Sequence, residues 1–284
     1  MEKITNILMC PECHCSLTES LECNNCHHIY TYSYGVYDIV SPKISSDQES
    51  LGEITDEMIK DMLSEKYQTN WSETIQDYYG KMNQETLDAM RKQDDYLEHV
   101  ISNISGVVCD LATDGGGMLQ KLLDAKQKDF LIVCTDIDKR ELIMTRKINN
   151  TNDERVFYVA TEGRHMSIKD ESFDYITSFA GFGNIPEGDK VVKELYRMLK
   201  PGGRIIIKGG YIEENSKSFE LAKSVGVERG MIEEYLLGDL ESAGFVNVVS
   251  NVVSQAIWAE NPYDLIPSTG DMQRYCIIQA QRPL

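Results

Sequence analysis

Residues 107–119 read VVCDLATDGGGML: an apolar run of strand type ends in Asp110, small residues and a glycine cluster follow, and a helical pattern then begins. A parallel strand that delivers a glycine-rich turn into a helix is how a nucleotide-type cofactor is held at the strand's carboxyl end. Small residues let the backbone come close to a ligand, and the start of the helix offers free N–H groups. Glycine turns serve many other purposes. The rest of the chain therefore decides the reading.

Outward from this stretch, strand-like runs at 107–111, 130–135, 156–160, 175–179 and 204–208 alternate with helical patterns near 117–127, 139–149 and 188–199. Right-handed crossovers of this size build a parallel sheet covered on both faces. Helical patterns near 216–225 and 229–243 are followed by runs at 245–253 and 274–280, which lack a long helix between them and so can pair antiparallel. The expected architecture is α/β, a Rossmann-like, seven-stranded, mostly parallel sheet. No internal repeat or low-complexity tract interrupts it.

The N-terminal segment has different chemistry. Cys10 and Cys13 form one C-x2-C pair and Cys23 and Cys26 another, with nine residues between the pairs. Two such turns bring four thiolates to the corners of a tetrahedron, which suits structural Zn2+ with no position left open. Cys15, His14, His27 and His28 stand beside the pairs as loop residues, although His27 or His28 in place of Cys26 would also complete a site. So short a segment forms no core without metal. Of the eight cysteines, Cys109, Cys134 and Cys276 sit in apolar runs, so the chain carries no disulfide framework. The alternating IYTYSYGVYDIV, residues 29–40, predicts a strand pair turning at Gly35.

A polar, proline-containing stretch, SPKISSD at 41–47, marks a linker between a zinc ribbon (1–42) and an acidic helical connector (43–103). The connector is a candidate lid over a third part, 104–284. In its last helical pattern, 82–104, the residues Leu87, Met90, Leu97, Val100, Ile101 and Ile104 recur at three, four and seven. Trp71, Tyr78 and Tyr79 read either as packing residues or as cover for a ligand.

The formal charge of −18 divides into −4, −8 and −6 over these three parts. Such a surface is soluble and repels phosphate backbones. No basic-then-apolar leader opens the chain, and no run approaches the roughly 20 apolar residues that span a bilayer. A cytoplasmic protein without a membrane partner is expected.

Taken together, residues 104–284 resemble a class I S-adenosylmethionine-dependent methyltransferase of the methyltransferase type 11 kind. DLATDGGG at 110–117 lies where that family has D-x-G-x-G-x-G, CTDID at 134–138 supplies the acidic residue that holds the ribose, and Thr161-Glu162-Gly163 lies at the adenine position. KDESFDYITS (169–178) and ELYRMLKPGGRIII (194–207) match the family's fourth strand and its later helix-turn-strand. The resemblance implies S-adenosylmethionine as cofactor, held by Asp110, Ala112, Thr113, Gly116, Asp136, Ile137, Glu162, Gly163 and Ser178. Ala112 and Asp114 stand at the first two glycine positions, so the Asp114 side chain either turns outward or meets the ligand's ammonium group. Gly35-Val36-Tyr37-Asp38-Ile39 resembles the end of the small ribbon that activates several methyltransferases, and bacterial rRNA guanine-N1 methyltransferases also carry an N-terminal ribbon.

Methyl transfer from a sulfonium is an in-line displacement, to which alignment contributes most, and a base is needed only for a protonated acceptor. His165, Tyr211 and His99 are candidate bases by type, and none is assigned. The loop SFAGFGNIP (178–186) lacks the Asn/Asp-Pro-Pro-aromatic motif and the cysteine of nucleic-acid base methylation, while Trp258 and Tyr263 are candidates for the acceptor side. The leading expectation is methyl transfer to a small-molecule or protein acceptor. RNA is less favoured, because Lys3 is the one basic residue in 1–42 and a basic strip would need Lys190, Lys193, Arg197, Lys200 and Arg204 to converge. A non-catalytic cofactor-binding protein is the alternative of a different class.

Overall fold

The computed structural model describes residues 4–41, 54–125, 129–149 and 152–284. Beyond Ser41, the linker read at 41–47 lies outside them. The strands are β1 Thr31–Ser33, β2 Val36–Asp38, β3 Gly106–Leu111, β4 Phe130–Asp136, β5 Val156–Ala160, β6 Phe173–Phe179, β7 Leu199–Ile212, β8 Val246–Ile257 and β9 Met272–Gln281. They form one sheet in the order β1-β2-β5-β4-β3-β6-β7-β9-β8. Strands β3 to β7 run parallel, and β9 enters antiparallel between β7 and β8. The strand order reverses between β3 and β6, and in open α/β sheets the crevice outside the carboxyl ends at that point binds ligands.

The sheet has nine strands rather than the seven expected, because the N-terminal hairpin joins it. Strand β2 pairs parallel with β5, Val36 opposite Tyr158 and Asp38 opposite Ala160. Without the hairpin, β5 would be an edge with a row of unpaired backbone groups. More bonds fasten the same region: Met9 N–H donates to Ser167 O (2.9 Å), Lys169 N–H to Ile7 O (2.8 Å), Ile39 N–H to Ala160 O (3.0 Å) and the Ser167 hydroxyl to Ile39 O (2.5 Å). Strand β7 also outruns its expected 204–208. Gly209 and Gly210 stay in the ladder because β9 pairs along their whole length.

Among the helices, α1 spans Asp56–Met62, α2 Glu65–Lys81, α3 Gln84–Ile101, α4 Gly117–Asp124, α5 Lys139–Ile148, α6 Gly188–Met198, α7 Lys217–Ser224, α8 Glu228–Met231 and α9 Glu233–Ser242. Asn83 caps α3, its side chain accepting the Thr86 N–H at 2.7 Å. Leu97 and Ile101, with Ile104 just beyond, bury fully against one face of the sheet together with α4 and α5, each contributing roughly 1.5–3 kcal/mol. Gln93 adds specificity from the same helix, donating to Gly209 O and Cys276 O at 2.8 Å each. On the opposite face α6 and α9 pack beside Leu8 and Ile39 of the N-terminal segment. Helix α2 buries no residue fully: Trp71 and Tyr78 are half-buried and Tyr79 is exposed, so none of the three is a core residue.

Candidate cofactor site and cysteine cluster

The turn after β3 is held in shape by hydroxyls. Thr113 donates its hydroxyl to Asp110 O (2.9 Å) and accepts the Thr135 N–H (3.1 Å), while its own N–H reaches Thr135 O (2.9 Å). These bonds tie the ends of β3 and β4 together and send the chain through positive φ at Ala112 (50°), Asp114 (44°) and Gly116 (83°). Ala112 comes so close to the turn after β6 that a Cβ on Gly181 would stand 2.4 Å from its carbonyl oxygen. Gly181 therefore has to be glycine.

A cavity of about 200 Å3 opens at the carboxyl ends of β3, β4 and β5. Of the residues expected to hold a cofactor, Ala112, Asp136, Ile137, Glu162 and Gly163 line it. Asp110, Thr113, Gly116 and Ser178 stand behind the lining. Ser178, 1% exposed, donates its hydroxyl to Leu111 O (2.9 Å) and accepts the Phe182 N–H (3.0 Å), which positions the turn rather than the cavity wall. Thr135, Thr161, Arg164, Asn184, Ile185 and Pro186 complete much of the wall. The last three come from the loop after β6, which approaches β5 only in three dimensions.

Asp136 is the best-placed polar group. Its Oδ2 accepts the Asp114 N–H (3.1 Å) and its Oδ1 the Asp138 N–H (3.0 Å), so both oxygens are anchored and each keeps a lone pair. Burial raises its pKa, and the same two N–H groups draw it down. Nearby Glu141 is pushed up to about 7, chiefly by burial and then by the charges of Asp114, Asp138 and Asp136. The Asp114 side chain itself is exposed, and the turn uses only its backbone. Glu162, 3% exposed, accepts from Arg164 at 2.9 Å through Oε1, whereas its Oε2 has no partner.

Asp110 is fully buried with both carboxylate oxygens unpartnered, and burial pushes its pKa from 3.8 to about 8 despite the Thr113 hydroxyl and Leu119 N–H nearby. Between those values the folded chain keeps a proton that the unfolded chain has lost. Stability therefore falls as pH rises through that window. Urea midpoints measured from about pH 5 to 8 are expected to fall less steeply for Asp110→Asn than for the native chain.

His99 and His165 are exposed and Tyr211 is 2% exposed in the core, where burial holds its hydroxyl well above the usual range. None of the three lines the cavity. Of the five basic residues named for a basic strip, four already face a carboxylate: Lys190 pairs with Glu187, Lys193 with Asp189 (3.4 Å), Arg197 with Glu194 (2.7 Å) and Lys200 with Asp174 (2.8 Å).

In the N-terminal segment the thiol sulfurs of Cys10, Cys13, Cys23 and Cys26 all lie within 4.8 Å of one another. Cys10 and Cys26 are 3.6 Å apart and Cys13 and Cys23 3.3 Å, near the edge of about 3.8 Å that a tetrahedron with 2.3 Å metal–sulfur bonds requires. All are free of disulfides. His14 and His27, each just after the second cysteine of a pair, occupy the left-handed region (φ 55° and 58°), and their N–H groups close the turns on Cys10 O and Cys23 O. They serve as turn residues there. The Tyr30 hydroxyl, 3.1 Å from Cys10 Sγ, is placed to donate to the thiolate from outside the cluster.

Sheet order, the turn after β3 and an anchored acid at the end of β4 define a Rossmann-like methyltransferase fold. A solved structure of this fold, Haemonchus contortus phosphoethanolamine N-methyltransferase 2 in complex with S-adenosyl-L-methionine, superimposes with a TM-score of 0.53 at 18% identity, over 68% of this chain and 53% of that one. The sequence model of the ubiE/COQ5 methyltransferase family matches residues 57–221, more than half of the chain, and the chain belongs to that family. Similar relatives include the ubiquinone/menaquinone biosynthesis C-methyltransferases UbiE of Wigglesworthia glossinidia brevipalpis (30% identical, 42% of this chain and 46% of that protein) and Rickettsia massiliae (28% identical, 59% and 74%). The match thus spans less than half of the Wigglesworthia protein's length. No helix among the described residues is long and apolar enough to cross a membrane.

Proposed function

We propose that this protein transfers a methyl group from S-adenosylmethionine to a small-molecule acceptor. The observation that carries this reading is the Asp136 carboxylate, anchored by two backbone N–H groups with one lone pair free on each oxygen, an arrangement that suits the two hydroxyls of a ribose. The rest of the cavity fits an adenosine. Ile137 and Ile185 offer apolar surface to a base, and the unpartnered Glu162 Oε2 offers an acceptor to an exocyclic amino group. Asp110, Thr113 and Gly116 shape the turn that would meet the methionine end, where the buried Asp110 carboxyl lies behind it. When bound, the cofactor supplies a methyl group on a sulfonium. The chain's own work is to orient it and exclude water.

On this reading the ribbon (1–42) holds one structural zinc through Cys10, Cys13, Cys23 and Cys26, the connector (43–103) covers the acceptor, and 104–284 binds the cofactor. The named activity of the UbiE relatives, methylation of carbon in quinone biosynthesis, favours a small molecule over protein or RNA. Incubation with methyl-labelled cofactor and separate metabolite, protein and RNA fractions tests this. Label is expected in the metabolite fraction, and stoichiometric label in RNA at moderate salt overturns it.

Asp114→Gly separates the side chain of the turn from its backbone. A residue with a Cβ in the left-handed region carries roughly 1–2 kcal/mol of strain, less for Asp, against roughly 0.5–1 kcal/mol of added chain entropy for Gly. Because the Asp136 anchor uses only the N–H of residue 114, calorimetry is expected to find cofactor affinity unchanged or improved. A large loss would mean that the carboxylate itself meets the ligand.

A further inference from the structure

Two walls of the cofactor cavity meet at the end read above as the place of the base. Glu162, Gly163 and Arg164 follow β5, Asn184, Ile185 and Pro186 follow β6, and all six line the same space. One side chain ties the two walls together. Arg164 donates from Nε to Glu162 Oε1 and from Nη1 to Glu187 Oε1, at 2.9 Å each. Its side chain is 12% exposed and that of Glu162 3%, whereas Glu187 stands at the rim with 43%. The guanidinium thus reaches from a buried carboxylate to an outer one.

The backbone around it is fastened on both sides. The His165 N–H closes a turn on Glu162 O (3.1 Å), and a Cβ on the intervening Gly163 would stand 3.0 Å from Ile185 Cδ1, so the glycine lets the second wall close over the turn. That wall is held at its start by the bond from the Phe182 N–H to the Ser178 hydroxyl. At its end Glu187, in the left-handed region (φ 56°), donates its N–H to Gly226 O (3.3 Å) and pairs with Lys190. Arg164 joins this end to the turn after β5. A lysine offers a point charge there, whereas the guanidinium presents Nε and Nη1 in a fixed fork.

With Oε1 taken up by Arg164, Glu162 Oε2 is left buried and without a partner. A carboxylate paired with a guanidinium is acceptor-only, so this oxygen is completed by a donor and not by another acceptor. An acceptor left unpaired in a buried site costs more than an ordinary hydrogen bond contributes, and sites built to pair a ligand N–H therefore reject analogues that lack it.

We infer that Arg164 is a positioning residue that makes the cavity selective for a purine bearing a 6-amino group. It fixes Glu162 so that Oε2 is the oxygen offered to the base, and its bond to Glu187 keeps Ile185 and Pro186 against that base. This rests on the methyl-transfer reading above. Without the guanidinium the Glu162 carboxyl is free to turn or to take up a proton, and a protonated carboxyl donates as well as accepts. Selectivity then falls even where affinity persists.

Calorimetry on the full chain, prepared with zinc, tests this by comparing S-adenosylhomocysteine with its analogue carrying hydrogen in place of the 6-amino group. The native chain is expected to prefer the amino form at least about tenfold, Arg164→Met to bring that ratio to about threefold or less, and Arg164→Lys to fall between. Glu187→Ala, at the exposed rim, is expected to lower the ratio at least about twofold, and it decides the matter if Arg164→Met does not fold. Loss of both ligands in equal measure, with the ratio kept, would reduce Arg164 to a structural tie and overturn the inference. A native chain that binds both ligands alike would overturn it too. A native chain that binds neither would instead remove the methyl-transfer reading.

Discussion

Cys23→Ser is expected to empty the metal site and, with it, to loosen the cofactor cavity on the far side of the ribbon. On the zinc reading proposed above, the four thiols within 4.8 Å of one another make up a tetrahedral ligand set, so loss of one opens it. Metal binding contributes roughly 10–16 kcal/mol in comparable zinc peptides, far more than so short an apolar segment could supply. The consequence reaches outward because β2 is a strand of the main sheet. Ser167 donates to Ile39 O from one side and its N–H donates to the Thr161 hydroxyl (2.8 Å) on the other, and Thr161 lines the cavity. Metal analysis is expected to show zinc lost from Cys23→Ser and kept in Cys15→Ser, with a weakened cofactor affinity in the first alone. If Cys15→Ser loses the metal, the ligand set is wrong.

Asp136→Ala carries the second large effect. Two hydroxyls donating to an anchored carboxylate make charge-assisted bonds worth roughly 1.5–3 kcal/mol, so calorimetry should register a loss of at least about tenfold. The substitution also leaves the Asp114 and Asp138 N–H groups without their acceptor, which relaxes the turn and adds to the loss. A folded Asp136→Ala variant that binds cofactor as tightly as the native chain would move the ribose elsewhere.

Much of the fold was legible because its signals are local. Apolar runs of five or six residues separated by helical patterns predicted β3 to β6 to within two residues at their ends, and the C-x2-C pairs pointed to the cysteine cluster. What escaped was non-local. Strand β7 runs on through Gly209 and Gly210, residues that break a strand by their own preferences, yet the ladder with β9 holds the chain extended from Arg204 to Ile212. Ser178 read as a cofactor residue from its motif position, whereas its hydroxyl is taken up between Leu111 O and the Phe182 N–H.

By itself, the sequence determined the order of strands and helices, the turn after β3, the acid at the end of β4 and the four thiols, since each depends on residues close together in the chain. Only the tertiary structure decided that the ribbon is a sheet edge rather than an appended module, because the pairing of Val36 with Tyr158 joins backbone groups more than a hundred residues apart and no side-chain pattern encodes it. It likewise decided that Ile185 and Pro186 wall the cavity and that Asp110 and Glu162 are buried beside it with oxygens left unpaired. Their unpaired atoms acquire meaning only once folding has removed the water that would otherwise satisfy them.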